Sequence, residues 1–240
     1  MINKDLALRY SFWPAGGHAP QIDNEPFYDV SFAPSMEVPE WTVHRLTQGR
    51  AIKLFNRDGS LREDKGFNSF CANPRIPSSP AASAYAGSGY DIGHMVPAEA
   101  MMFDKAALLS TFYTSNACPQ TPALNRGPWK ALESKCFKAA ATGMELVIID
   151  GPIFGKESKR LPSGIAIPDA FFKVIAAPDT KRVDCYIMPN TESPDSDITH
   201  HYVSLAKVAT QTGLSFHGLR DYEDCAFLLE RGSKSLDSPV

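Results

Sequence analysis

One short stretch holds the residues best suited to chemistry. Residues 87–97 read GSGYDIGHMVP, so His94 follows a glycine directly and stands three residues after the carboxylate of Asp91. Glycine allows backbone conformations and close ligand approach that other residues resist. A histidine held in this way and open on one side is suited to general base catalysis, because imidazole changes its charge near neutral pH. From the four residues Asp91 to His94 alone, a purely structural histidine is an equally good interpretation.

Two further residues complete a candidate constellation. Helical spacing predicts a helix over residues 124–142, with Asn125 near its start and Glu133 on nearly the same face, since eight residues span just over two turns. If the strand of His94 pairs with a strand predicted at residues 111–115 and the helix packs across both, the three side chains share one cleft. An imidazole, an amide oxygen and a carboxylate are the groups that metal-assisted phosphodiester cleavage uses. The simpler alternatives are a helix N-cap for Asn125 and a solvated surface acid for Glu133.

The elements that must position these residues indicate one α+β domain with a central, mainly antiparallel sheet. Residues 27–32 and 41–47 alternate between apolar and polar positions and predict a hairpin-like pair of strands. Residues 1–26 are expected to be an irregular lead-in, 27–219 the domain and 220–240 a polar tail. The other predicted strands are 145–151, 165–168, 171–176 and 183–188, and the other predicted helices are 103–109 and 197–212.

Composition limits the classes of function. The 240 residues are 43% hydrophobic and 21% charged, with a net charge of -3, so any attraction for nucleic acid must come from a local basic patch. Five widely spaced cysteines without a C-x-x-C pair indicate neither a zinc knuckle nor a disulfide framework. No apolar run approaches the roughly 20 residues that span a bilayer, and the first residues do not form a leader. We therefore expect a soluble, cytoplasmic protein that does not bind membranes, with export by a leaderless route left open.

Three ordered motifs carry a resemblance to a known family. They are DIGHMVP at residues 91–97, SNACPQ at 115–120 and LNRGPWKALE at 124–133. In this order and spacing the chain resembles the DNA/RNA non-specific endonucleases of the ββα-metal (His-Me finger) class, which includes endonuclease G. The resemblance covers about residues 27–219 and includes shorter matches at 151–154, 167–173, 188–190 and 212–214.

The resemblance implies an active site, a cofactor and a reaction. It implies a ββα-metal finger in which His94 is the general base, Asn125 binds Mg²⁺ directly and Glu133 binds it through water, while Asn116 helps to build the finger. Mn²⁺ is expected to substitute for Mg²⁺. The implied reaction is the hydrolysis of DNA, and by extension RNA, to 5′-phosphate and 3′-hydroxyl ends with little sequence preference. Because relatives are often dimers, a homodimer is also an expectation.

Two positions depart from the family pattern. Ile92 stands where the family has an arginine, and Phe137 stands four residues after Glu133, where the family has a basic residue. We expect Arg126 to supply a substitute cation and to contact substrate phosphates together with Lys130 and Lys135. The simpler interpretation of these two lysines is a solvated helix face.

Ile92 and the acidic net charge keep a second function open. The chain can be a catalytically weakened nuclease fold that binds nucleic acid or a protein partner without cutting. A third alternative is a metal-dependent phosphodiesterase that acts on small molecules.

Overall fold

The structure, a computed structural model, describes residues 9, 11–16, 21–24, 27–52, 69–157, 159–226 and 228–231. Its strands are β1 Gln21–Asn24, β2 Tyr28–Ala33, β3 Val38–Leu46, β4 Asp91–His94, β5 Ala117–Gln120, β6 Leu146–Ile153, β7 Ala170–Ala177, β8 Arg182–Pro189, β9 Tyr202–Val203 and β10 Glu223–Asp224. Its α-helices are α1 Lys105–Ser110, α2 Pro122–Leu124, α3 Lys130–Ala141, α4 Leu205–Thr212 and α5 Leu228–Arg231.

Among the described residues, eight strands form one large sheet in the order β1-β2-β3-β6-β7-β8-β10, with β9 also paired to β8. All pairings in this sheet are antiparallel except that of β10 with β8. The predicted α+β class with a mainly antiparallel sheet is therefore confirmed. The predicted pairing of the first two alternating segments is also present, since β2 lies beside β3.

Both faces of the sheet are covered. Val43, Val147 and Val174 belong to the core on one face, whereas Ile148 and Phe171 belong to the core that also contains Leu132 and Cys136 of α3. Successive strand residues point to opposite faces, so the mostly apolar residues of β6 and β7 fill both cores. The face toward α3 is the one that supports the candidate site.

A second, two-stranded sheet pairs β4 with β5 and sets His94 opposite Ala117. The strand predicted at residues 111–115 is wrong. Residues Thr114–Asn116 form a 3₁₀ turn, and the strand begins only at Ala117. The prediction failed because Phe112 and Tyr113 have high strand propensity, whereas their backbone groups bond to the segment around Cys71 and to the preceding helix.

The helix predicted over residues 124–142 is not continuous. After α2, residues Asn125–Trp129 form a π-helical turn, in which Gly127 has the non-helical angles φ −102° and ψ −117°. Within residues 124–142 the regular helix is α3, and its end agrees with the prediction, because Gly143 follows it with a φ of 106°. Because the helix is interrupted, a count of two regular turns does not give the relative directions of the Asn125 and Glu133 side chains.

The expected irregular ends are partly ordered. Within the first 26 residues, β1 pairs with β2, the buried Arg9 lies 3.5 Å from Asp29, and Phe12 is buried in the core. Within residues 220–240, β10 joins the sheet and Leu228 of α5 is buried. Long-range burial, which local polarity does not reveal, orders these segments.

Two other predicted elements differ from the structure. Residues 165–168 form no strand, although Ala166 makes an isolated bridge to Arg160. The helix predicted over residues 197–212 is divided into a 3₁₀ turn at Ile198–His201, the strand β9 and α4. Among the described residues, no helix has the length and apolar character needed to cross a membrane.

Candidate active site

His94 ends strand β4 between two phenylalanine rings. The centroid of its ring lies 4.6 Å from that of Phe70 and 5.1 Å from that of Phe112. Two backbone hydrogen bonds hold these rings in place, because Cys71 donates to the carbonyl of Phe112 and accepts from the amide of Thr114. The sequence alone gave no signal for Phe70 or Phe112.

This apolar setting favours the neutral imidazole. Burial lowers the pKa of His94 to about 4, from an ordinary value of 6.5. Its Nε2 is enclosed and has no hydrogen-bond partner among the described residues. A neutral ring is the state that a general base requires at neutral pH.

Asn116 holds the turn that follows His94. Its side chain accepts a hydrogen bond from the amide of Val96 and donates to the carbonyls of Val96 and Thr111, all at 2.9–3.0 Å. Its own carbonyl accepts from the amide of Met95. The side chain is fully buried, so Asn116 shapes the finger through the backbone and has no amide hydrogen left to offer a substrate.

Asp91, the first residue of the motif that contains His94, ties the two parts of the site together. One carboxylate oxygen accepts from Asn125 Nδ2 at 2.9 Å, and both accept from the guanidinium of Arg126, at 2.9 and 2.6 Å. Partial burial opposes ionisation, but these hydrogen bonds hold the pKa of Asp91 below its usual range. Asp91 had no predicted role, although its place at the start of the motif was a usable signal.

Gly93 is required for close packing inside the finger. A Cβ atom at this position would lie 2.0 Å from Oε1 of Gln120, whose fully buried side chain crosses the glycine. Backbone pairing of Gly93 with Cys118 fixes this approach. The glycine that precedes His94 is therefore explained by contact between β4 and β5 rather than by unusual backbone angles.

Glu133 lies in the first turn of α3 and faces a small cavity beneath the helix. The cavity is also lined by Pro97, three residues after His94, so Glu133 lies beside the turn that leaves the finger. Burial raises the pKa of Glu133 to about 8, an effect that nearby Lys173 opposes and nearby Asp150 and Glu99 increase. Its Oε1 has no hydrogen-bond partner among the described residues.

The candidate phosphate contacts lie in different places. Arg126 is 71% exposed despite its pairing with Asp91. Lys130 is exposed at the start of α3, about 60° around the helix from Glu133. Lys135 is half-buried and about 160° around the helix from Glu133, so the helix does not bring it to the same face. Ile92 packs against the core that contains Leu132 and Cys136 of α3.

The donor set is suited to a hard, hydrated cation. Since Asn125 donates from Nδ2 to a carboxylate, its Oδ1 is the amide atom directed away from Asp91, and it has no hydrogen-bond partner among the described residues. The unpartnered Oε1 of Glu133 is the second candidate oxygen. Among the residues that the structure describes, no group of three or more His, Cys, Asp or Glu is arranged to hold a metal. One amide oxygen and one carboxylate leave most coordination positions to water, as Mg²⁺ prefers.

Sequence comparison assigns the family. The profile of the DNA/RNA non-specific endonucleases matches residues 12–222, most of the chain. The chain belongs to this family. Family membership makes the protein a hydrolytic nuclease of a metal-dependent family. The matched range, residues 12–222, extends beyond both ends of the domain predicted at residues 27–219.

Named relatives agree with this assignment. The chain is 32% identical over 209 residues to Nuclease C1 of Cunninghamella echinulata var. echinulata, with 79% of each chain covered. It is 31% identical over 147 residues to mitochondrial endonuclease G of Bos taurus, covering 55% of this chain and 49% of that protein. Part of the length of that mitochondrial relative therefore lies outside the similarity.

The fold matches that of a solved nuclease. A crystal structure of an EndoG/EndoGI complex contains a chain that superposes with a TM-score of 0.76 at 24% identity, over 91% of this chain and 94% of that one. That structure describes inhibition of EndoG by EndoGI. The likeness confirms the α+β architecture proposed from the sequence.

Proposed function

We propose that the protein is a Mg²⁺-dependent endonuclease that cuts DNA, and also RNA, to leave 5′-phosphate and 3′-hydroxyl ends. One observation carries the proposal: Asp91 accepts from the amide nitrogen of Asn125 and so leaves the amide oxygen available to a cation. Asp91 begins the four-residue strand that ends in His94, so one short strand carries the base and holds the residue proposed to bind the metal.

Each side chain has a separate task. His94 accepts, at Nδ1, a proton from the water that attacks phosphorus; the bond to the 3′ oxygen breaks, and that oxygen takes a proton from water to become the 3′-hydroxyl. Asn125 Oδ1 and, through water, Glu133 hold the cation. A bound Mg²⁺ stabilises negative charge on the phosphate and the leaving oxygen, and Mn²⁺ supplies the same chemistry. Asn116 keeps the finger in shape by bonding only to backbone groups.

Arg126 takes the place of the arginine that Ile92 replaces. Its guanidinium bonds to Asp91, the neighbour of Ile92, so a cation lies beside the strand position that lacks one. Arg126 and Lys130 are exposed and can contact substrate phosphates. Lys135 stays a weaker candidate, because of its position on the far side of α3.

One set of gels tests the proposal. Wild type, His94→Ala and Asn125→Ala are incubated with plasmid, single-stranded DNA and RNA, with Mg²⁺, Mn²⁺ or chelator, and the ends are labelled to identify the 5′-phosphate. We expect metal-dependent cutting by wild type and a loss of at least about 100-fold in the His94 variant. Undiminished cutting by His94→Ala would remove histidine from the mechanism. Salt-sensitive DNA binding without any cutting would favour the weakened, binding-only alternative.

Assembly and location remain proposals. We expect a homodimer, which light scattering coupled to size-exclusion chromatography would detect as twice the chain mass. A cytoplasmic location is tested by fractionation of cells that express the natural gene, and recovery outside the cytoplasm would contradict it.

A further inference from the structure

A buried cation lies beneath the helix that carries Glu133. Lys173 on β7 is 1% exposed, and its Nζ bonds to Asp150, its partner in register on β6. The same Nζ lies 4.2 Å from the centroid of the Trp129 ring. Burial opposes the charged form, but Asp150 holds the pKa of Lys173 above its usual range.

Lys173 and Glu133 line the same small cavity between the sheet and α3. Among the described residues that line it, Lys173 is the only lysine or arginine. Each of the two groups favours the charged form of the other, because opposite charges attract across the cavity that both line. The carboxylate of Glu133 meanwhile keeps one oxygen without a hydrogen-bond partner among the described residues.

The pair of Lys173 and Asp150 need not make the fold more stable. Replacing a buried ion pair with apolar residues of similar volume is often neutral or stabilising, so the pair is compatible with a role other than stability. The stacking on Trp129 and the bond to Asp150 restrict the lysine stem and head to one position. A cation held in one position can orient a neighbouring charged group.

The helix itself does not offer this cation. Position 137, one turn after Glu133 on α3, is where a basic side chain could pair with the glutamate, and it is Phe137 that lines the cavity there. We propose that Lys173 is a positioning residue that orients the Glu133 carboxylate for the metal site, with Asp150 holding the lysine in place. This inference rests on the proposed function, in which Glu133 binds the cation through water.

The test compares variants that separate an orienting role of Lys173 from a merely structural one. Asp150→Asn removes its counter-ion and keeps the lysine side chain in the cavity with Glu133. Asp150→Asn/Lys173→Met removes both members of the ion pair, so neither partner of that pair is left buried and unpaired. Adding Phe137→Lys to that double variant returns a cation to the cavity from the helix. Binding of Mn²⁺ to each protein is measured by electron paramagnetic resonance, without substrate, and thermal unfolding shows that each variant is folded.

We expect the double variant to bind Mn²⁺ about 10–100-fold more weakly than Asp150→Asn, as for the loss of other groups that orient metal ligands. We expect Phe137→Lys to recover most of that loss, which a merely structural lysine would not allow. Equal Mn²⁺ affinity in Asp150→Asn and the double variant, or no recovery by Phe137→Lys, overturns the inference. If the double variant does not fold, Lys173→Gln, which keeps a donor for Asp150, takes its place in the same comparison.

A separate control distinguishes the inference from the function on which it depends. If Asn125→Ala binds Mn²⁺ as tightly as wild type, the proposed metal site is wrong. If Asn125→Ala loses the ion and the Lys173 variants retain it, only the role of Lys173 is wrong.

Discussion

Opening the aromatic enclosure of His94 should move its pKa back toward the ordinary value. The Phe112 ring lies 5.1 Å from the imidazole, and burial lowers the pKa from 6.5 to about 4. This shift corresponds to a preference of about 3 kcal/mol for the neutral ring. Because the pKa is lowered, the base is already neutral well below pH 6.5, and protonation of His94 should reduce activity only near the lower value.

Phe112→Ala admits water to the ring and raises this pKa. If it rises to about 6, about one quarter of the histidine is neutral at pH 5.5, compared with nearly all of it in wild type. The ratio of kcat/KM at about pH 5.5 to that at about pH 8 should then fall about fourfold, and about tenfold if the pKa returns fully. At about pH 8 the kcat/KM of Phe112→Ala should be close to that of wild type, because His94 is neutral in both proteins.

The assay is cleavage of DNA at saturating Mg²⁺ across this pH range. Phe112→Leu is the matched control, because it keeps an apolar cover over the ring and should retain the wild-type profile. A carbon NMR titration of His94 measures the pKa independently of catalysis. A wild-type profile that already declines near pH 6.5, or an unchanged profile in Phe112→Ala, would refute the reasoning.

The remaining predictions concern the finger and the cavity. Asp91→Ala releases the amide of Asn125, the proposed metal ligand, and should weaken activation by Mg²⁺ about 10–100-fold. Arg126→Met should chiefly raise KM for DNA, and equal effects of the two substitutions would contradict the proposed role of Asp91. Gly93→Ala should destabilise by about 1–3 kcal/mol through the clash with Gln120, and urea unfolding should show part of that loss recovered in Gly93→Ala/Gln120→Ala. Glu133 has an ordinary pKa of 4.5 and a folded value of about 8, so in chelator its stabilising contribution is complete below the first value and lost as the pH rises through the second. Melting temperatures at about pH 5 and 9 should therefore differ less in Glu133→Gln than in wild type.

Local patterns were sufficient for the large sheet and for the choice of site residues. Alternating or continuously apolar runs indicated β2, β3, β6, β7 and β8, because burial of one or both faces leaves its period in the sequence. The same local reasoning failed at residues 111–115, where aromatic residues suggested a strand and tertiary hydrogen bonds formed a 3₁₀ turn. It also failed at Gly127, where the π-helical turn interrupts a spacing that looked continuous.

The sequence by itself determined the family, the α+β class and the candidates His94, Asn125 and Glu133, because motif order and hydrophobic period are properties of neighbouring residues. Only the tertiary structure decided what surrounds them. Asp91 clamps Asn125 from 34 positions away, and Lys173 reaches the cavity of Glu133 from another strand of the sheet. Such contacts depend on which strands pair and on which face each residue points to, and those facts arise from packing the whole chain.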